Sequence, residues 1–181
     1  MRDAIKLVLW LAIGAFAVGS IWNVSGYFSY TVSEFDGTAL SGLSFDEKMQ
    51  HWEHRIEEVG GEEAYRELAA AIQPYALPTQ HFEAHIFGDA LYQVEGVKGI
   101  SVCDERYSYA CYHALASIAM QENGEEFASV MNEICFKTLG NKARHCQHGI
   151  GHGILGIFGY ELGNLEQALD FCEPLPYYDP K

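Results

Sequence analysis

The feature that most constrains the fold is a pattern of histidines that recurs about every 34 residues. The tripeptides TQH, CYH and CQH end at His81, His113 and His148, so these histidines are 32 and 35 residues apart. Self-similarity at this period is typical of stacked helical hairpins, in which each unit buries its apolar face against its neighbours. The sequence therefore predicts an all-α fold of helical-hairpin repeats, an α-α superhelix, over residues 79–181.

Each predicted unit also contains a segment that ends in cysteine. GISVC, MNEIC and ALDFC end at Cys103, Cys135 and Cys172. We interpret the unit as a helix A that opens with Cys-x-His, a helix B that ends with Cys, and a short connecting loop. The period resembles the architecture of tetratricopeptide and Sel1-like repeat proteins over residues 79–173, without their motif residues. The resemblance implies stacked helices, and no activity can be inferred from it.

The cysteines predict two disulfide staples between consecutive units. Cys103 ends one helix B and Cys111 opens the next helix A, and Cys135 and Cys146 hold the same two places one unit later. Closing each loop is worth about 2.5–3 kcal/mol of chain entropy. The alternative, a cysteine metal site, usually has C-x2-C or C-x4-C spacing, which this sequence lacks. Cys172 has no counterpart, so we expect a truncated repeat array.

Histidines at helical spacing predict a metal-binding face on the A helices. Side chains three, four or seven residues apart share a helix face, and A helices of a solenoid stack side by side. Imidazoles at i and i+4 can share one ion, and neighbouring helices can complete three or four nitrogen ligands. We predict a site for zinc, copper or iron, or for haem, with no reaction assigned. Its ligands are His81, His85, His113, His148 and His152.

Carboxylates near this face are candidates to ligate the ion or to orient an imidazole. Metal-bound histidines usually donate their second ring N–H to a carboxylate, a carbonyl or water. The candidates are Glu83, Asp89, Asp104, Glu105 and Glu161.

Two other interpretations of the histidines stay open. A residue that recurs once per unit can serve only to build the unit, for example by a hydrogen bond to a loop carbonyl. Alternatively, the same face with Tyr107, Tyr109 and Tyr112 can bind a protein or peptide in a non-catalytic scaffold. Whether the protein is an enzyme also stays open, because HExxH, Walker, G-x-S-x-G and CxxCH signatures are absent from the sequence.

The glycines of the CQHGIGHG segment predict close helix packing. Gly149, Gly153 and Gly156 fall on one face of the predicted helix, where missing side chains let another backbone approach. Each interior glycine costs about 1 kcal/mol of helix propensity, so we expect a packing gain that offsets it. The segment also contains G-x-G-x-x-G, but the polar KARHCQHGI before it cannot be the strand of a dinucleotide-binding fold.

The N-terminal 28 residues predict membrane targeting. Residues 7–22 carry no charge and follow Arg2 and Lys6. The apolar run and the aromatic residues behind it favour a signal anchor. An A-x-A site beginning at Ala15 keeps a cleaved signal peptide as the alternative. In both cases the remainder is expected to lie outside the cytoplasm, in the periplasm or the extracellular space.

The segment between the anchor and the repeats predicts a tether and a leading hairpin. Residues 29–44 are polar and lack periodicity, as expected of a tether. A capping box beginning at Ser44 opens a helix that should end at Val59, and a second helix should cover residues 62–73 within a hairpin of residues 45–78.

The net charge excludes nucleic acid as a partner. The chain has 25 acidic and 11 basic residues, a formal net charge of -14, and no basic stripe. Such a surface repels the phosphate backbone.

Overall fold

A computed structural model describes residues 37–172 and the side chains of residues 40–170. The regular structure of this part is entirely helical, which confirms the all-α class. The predicted membrane segment, residues 1–28, lies outside the described residues, and no helix between 37 and 172 combines the length and apolarity needed to cross a bilayer. The α-helices are α1 Phe45–Val59, α2 Gly61–Ile72, α3 Leu77–Glu95, α4 Ala110–Asn123, α5 Phe127–Leu139, α6 Ala143–Phe158 and α7 Leu162–Cys172.

The leading hairpin begins and ends close to where the sequence predicts. Ser44 and Glu47 form the capping box, in which the Ser44 N–H donates to the Glu47 carboxylate at 2.7 Å and the Glu47 N–H donates to the Ser44 hydroxyl at 3.3 Å. α1 ends at Val59 because Gly60 adopts a φ of +83°, which favours glycine. α2 then starts at Gly61, one residue earlier than expected.

The helices pack in two layers, as expected of repeated hairpins. One layer places α1 beside α3, α3 beside α4 and α4 beside α6. The second contains α2, the 3-10 helix Gly96–Ser101, α5 and α7, each packed against members of the first layer. Each unit thus contributes one long helix to the first layer, and α3, α4 and α6 are the predicted A helices.

The B elements differ from the prediction in two of the three units. GISVC does not form a helix ending in cysteine: it contributes to the 3-10 helix Gly96–Ser101, which stops before Cys103. The seven residues from Gly96 to Val102 are too few for a returning α-helix. α5 continues past Cys135 to Leu139. α7 reaches its cysteine, Cys172, which is also the last residue that the structure describes.

Part of the predicted tether is structured. Gly37–Gly42 form a 3-10 helix that packs against α2, and Leu40 is buried. The polar composition of this stretch does not predict the contact, in which Leu40 is a buried apolar side chain.

Glycines on α6 let it approach α4 closely, as predicted. A Cβ on Gly149 would lie 2.5 Å from the Tyr112 carbonyl oxygen, and one on Gly153 would lie 2.9 Å from the Met120 sulfur. Gly156 has no such contact, since the nearest atom to its Cβ position would be 3.8 Å away. The packing role is therefore shown for two of the three predicted glycines.

α3 also approaches α4 closely, on the side opposite α6, at a glycine that the sequence pattern did not predict. A Cβ on Gly88 would lie 2.7 Å from the Cys111 carbonyl oxygen and 2.8 Å from Cβ of Ala114. α4 therefore lies at close range between α3 and α6. This spacing brings the side chains of all three helices within reach of one another.

The structure places both predicted cysteine pairs at disulfide distance. Cys103 and Cys111 have a Cα–Cα distance of 5.5 Å, and Cys135 and Cys146 one of 5.6 Å. These distances are the usual ones for disulfides. The distances therefore agree with the predicted pairing. The side chain of Cys172 lies outside the described residues.

Candidate metal centre

The structure brings all five predicted histidines together. They come from three helices: His81 and His85 from α3, His113 from α4, and His148 and His152 from α6. Within residues 37–172 they form two three-histidine groups, and in each group one nitrogen per ring lies within 4.8 Å of the others. The first group joins the α3 pair to His113, and the second joins the α6 pair to the same His113.

His113 occupies the centre of the cluster because α4 lies between α3 and α6. Its ring centroid is 5.8 Å from that of His81 and 5.5 Å from that of His85. On the other side it is 4.8 Å from the His148 ring and 4.2 Å from the nearly parallel His152 ring. His113 is 5% exposed, whereas the four outer histidines are reached by solvent.

One ring nitrogen of His113 lacks a partner. Its Nε2 is buried and makes no hydrogen bond within the described residues. An unpaired buried polar atom costs about 1–3 kcal/mol, and native structures usually avoid it. A metal ion bound to this nitrogen would remove the penalty, so His113 fits the role of a ligand.

A backbone carbonyl fixes the tautomer of His81. Nδ1 of His81 lies 2.6 Å from the carbonyl oxygen of Tyr107. A carbonyl only accepts, so Nδ1 must carry the proton, and neutral His81 has its lone pair on Nε2. Carbonyls hold metal-binding histidines in this way.

The free nitrogen of His81 faces a second imidazole. Nε2 of His81 and Nε2 of His85 lie 3.1 Å apart. A zinc–nitrogen bond of 2.0–2.1 Å puts two tetrahedral ligands about 3.3 Å apart. The observed separation therefore suits two ligands of one ion as well as a single N–H···N hydrogen bond.

The cluster favours neutral imidazoles, the form that binds metal. Burial, and then repulsion from the surrounding imidazoles, lowers the pKa of His113 to about 3. Burial and the neighbouring His81 lower the pKa of His85 to about 4. Burial, and then repulsion from His148, lowers the pKa of His152. At neutral pH these three rings keep a lone pair available.

The carbonyl that holds His81 belongs to a strained turn. Tyr107, Ser108 and Tyr109 have φ values of 56°, 53° and 63°, although none is glycine. A left-handed residue costs about 1–2 kcal/mol, so the three together cost roughly 3–6 kcal/mol. Such strain is retained where function or surrounding structure requires it. Here it aims the Tyr107 carbonyl at His81.

The strained turn lies within the loop closed by the Cys103–Cys111 pair. Closing this short loop is worth about 2.6 kcal/mol of chain entropy. The Tyr112 hydroxyl donates to the Cys103 carbonyl at 2.6 Å, and His81 donates to Tyr107. At about 1 kcal/mol for each hydrogen bond, these terms together offset most of the cost of the turn.

Tyr109, the last residue of this turn, covers the cluster from one side. Its ring centroid lies 5.0 Å from that of His145, 5.5 Å from that of His148 and 6.5 Å from that of His113. His145 shares the helix face of His148 but belongs to neither three-histidine group. It contacts aromatic rings instead.

The carboxylates expected to support the imidazoles belong to neither three-histidine group. Glu83 is buried in an ion pair with Lys48 of α1 at 2.5 Å, and Asp104 accepts a hydrogen bond from Tyr65. Glu105 comes only within 3.9 Å of a ring nitrogen of His145. The remaining two are Asp89, whose pKa burial raises to about 6, and Glu161, which is exposed.

No protein-family model matches the chain, and comparisons with curated proteins and with solved structures found no match either. The geometry of the histidine cluster is therefore the main indication of function.

Proposed function

We propose that the protein binds a transition-metal ion, zinc, copper or iron, through the imidazoles of α3, α4 and α6. The observation that carries the proposal is the convergence of five histidines from three helices into two groups with ligand spacing. The fixed tautomer of His81 and the unpaired Nε2 of His113 support it. Neutral imidazole suits all three metals.

The packing of the rings favours an ion over haem. A porphyrin held by two histidines lies between their rings and separates them. His113 and His152 instead stack directly, with 4.2 Å between centroids. A small ion fits among such rings without moving the helices apart. Haem is therefore the second candidate.

A three-histidine set leaves room for chemistry at the ion. Three protein ligands leave the fourth position of a tetrahedral ion for water or substrate, which is the arrangement of catalytic zinc sites. An ion in this position would supply Lewis-acid chemistry. The chain's own part is to hold His81 in one tautomer through Tyr107 and to shelter His113 from water.

The test is metal content in full-length protein purified in detergent without an affinity tag or chelator. We expect a stoichiometric transition metal by elemental analysis, with absorption spectroscopy reporting any haem. Replacing His148 and His152 together by alanine should lower the amount of bound metal per chain. The matched control is His54→Ala, because this histidine is exposed on α1, far along the sequence from the cluster.

The helical circular dichroism of the double variant should match that of the wild type, since the cysteine pairs and the close glycine packing remain. Metal-free protein that gains neither stability nor a spectral change on titration with zinc, copper, iron or haem would refute the proposal. That result would favour the protein- or peptide-binding scaffold. In the scaffold, Tyr112 could not be a contact residue, because its ring is buried.

We also propose that the domain lies outside the cytoplasm on an N-terminal membrane anchor. Two cysteine pairs at disulfide distance support this location, because disulfides persist in oxidising compartments. The two-layer packing of α3 to α7 supports the superhelical repeat architecture inferred from the period.

A further inference from the structure

We infer that the cluster binds two metal ions and that His113 bridges them. One ion would be held by the α3 pair with His113, and the other by the α6 pair with His113. This inference rests on the proposed metal binding and adds the number of ions and the role of the central ring.

The five histidines divide into two ligand groups. Both groups contain His113, and within residues 37–172 neither group joins a histidine of α3 to a histidine of α6. A single ion surrounded by all five rings would need such a mixed group. The geometry instead provides two triads with one common member.

The shared ring of His113 lies in the position that a bridging ligand requires. α4 packs against α3 on one side and against α6 on the other, so His113 lies between the two histidine pairs. An imidazole carries its two nitrogens on different edges of the ring, and each can bind a metal. Nε2 of His113 is buried and unpaired, which leaves it available to one of the ions.

The bridge requires one proton to leave. A neutral imidazole has one lone pair and one N–H, so the first ion binds the lone pair without displacing a proton. The second ion binds the other nitrogen of His113, and its N–H proton passes to water. The charge of a bound cation favours this loss, as it favours deprotonation of other metal ligands. No oxidant or reductant takes part.

The experiment uses Cu(II) alone, added to full-length, metal-depleted protein in detergent at pH 7.5. Bound copper is counted by elemental analysis after desalting, and unpaired spins are counted by electron paramagnetic resonance. We expect two ions per chain and fewer spins than copper atoms, because an imidazolate couples the two Cu(II) ions magnetically. The His54→Ala control should behave like the wild type.

Two pair variants separate the sites without changing the buried ring. His81→Ala with His85→Ala, and separately His148→Ala with His152→Ala, should each bind one ion with a full, uncoupled spin count. His113→Ala should bind copper more weakly at both sites and lose the coupling. If His113→Ala fails to fold, the wild-type spin count and the two pair variants still decide the question.

One ion in the wild type would overturn the two-ion inference and leave the proposed function intact. Two ions with a full spin count, unchanged by His113→Ala, would overturn the bridge. Protein that binds no copper, zinc or iron would overturn the inference and the proposed function together.

Discussion

Replacing Gly149 by alanine tests whether the close approach of α6 to α4 holds the histidine cluster together. The new Cβ would lie 2.5 Å from the carbonyl oxygen of Tyr112 and 2.9 Å from its carbonyl carbon. Both atoms are backbone, so no side chain can turn away. Relieving the contact to 3.0 Å moves the two helices apart by roughly 0.5 Å, an overpacking strain that costs about 1–3 kcal/mol.

The matched control is Gly151→Ala, two residues away on the same helix. No atom lies within 4 Å of a Cβ at Gly151. Alanine there should stabilise the protein by about 0.5–1 kcal/mol through helix propensity. Because Gly149→Ala receives the same gain, the difference between the two variants isolates the packing cost, about 1–3 kcal/mol.

The assay is urea unfolding of the metal-free, full-length protein in detergent, followed by circular dichroism. Gly151→Ala should unfold at higher urea than the wild type and Gly149→Ala at lower urea than Gly151→Ala. The displacement of α6 should also weaken Cu(II) binding in Gly149→Ala only, since it moves His148 and His152 away from His113. Equal unfolding midpoints and equal copper affinities in the two variants would refute this reasoning.

Three further predictions concern covalent structure, pH and topology. Non-reducing peptide mapping should find the two predicted disulfides, and a bridge between cysteines of different pairs would contradict the register. Metal-free protein should lose stability as the pH falls from 6.5 to 4, because His85 and His113, with pKa values lowered to about 4 and 3, take up protons only on unfolding. Asp89, with its pKa raised to about 6, releases one proton on unfolding in this range and so opposes part of the loss, which leaves a net uptake of about one proton from these three groups. His152, whose pKa is also lowered by burial and by His148, adds to this uptake. A urea midpoint that rises between pH 7 and 4.5 would contradict this sign. A reporter fused after Ser44 should be active outside the cytoplasm. The protein should stay in the membrane fraction after an alkaline carbonate wash. Release of a shortened chain would instead indicate a cleaved signal peptide.

The sequence predicted best those features that are built from periodic spacing. The repeated Cys-x-His pattern predicted the pairing of Cys103 with Cys111, and helical spacing predicted that His81, His113 and His148 share one surface. Both are consequences of helix geometry and of stacking, which hold wherever the units repeat. The structure brings both sets of residues together.

The features that the sequence did not predict depend on single backbone conformations or on contacts distant in the chain. The left-handed turn of Tyr107–Tyr109 contains no glycine, so none of its residues predicts this conformation. The hydrogen-bond partner of His81 is a backbone carbonyl, which every residue has, and not one of the predicted carboxylates. Gly88 is not one of the regularly spaced glycines of α6. The residues of α4 that it contacts, Cys111 and Ala114, are distant in the sequence and can be identified only in the folded structure.

The strained turn also sets an order of assembly. The covalent tie between Cys103 and Cys111 supplies about half of the 4 to 5 kcal/mol that roughly offsets the cost of the turn. A newly made chain in a reducing compartment lacks that tie, so only the two hydrogen bonds, about 2 kcal/mol, remain to hold the Tyr107 carbonyl toward His81. We therefore expect oxidation to precede completion of the imidazole cluster. If the proposed location and metal binding hold, the protein would acquire its ion after export, from the metals present outside the cytoplasm.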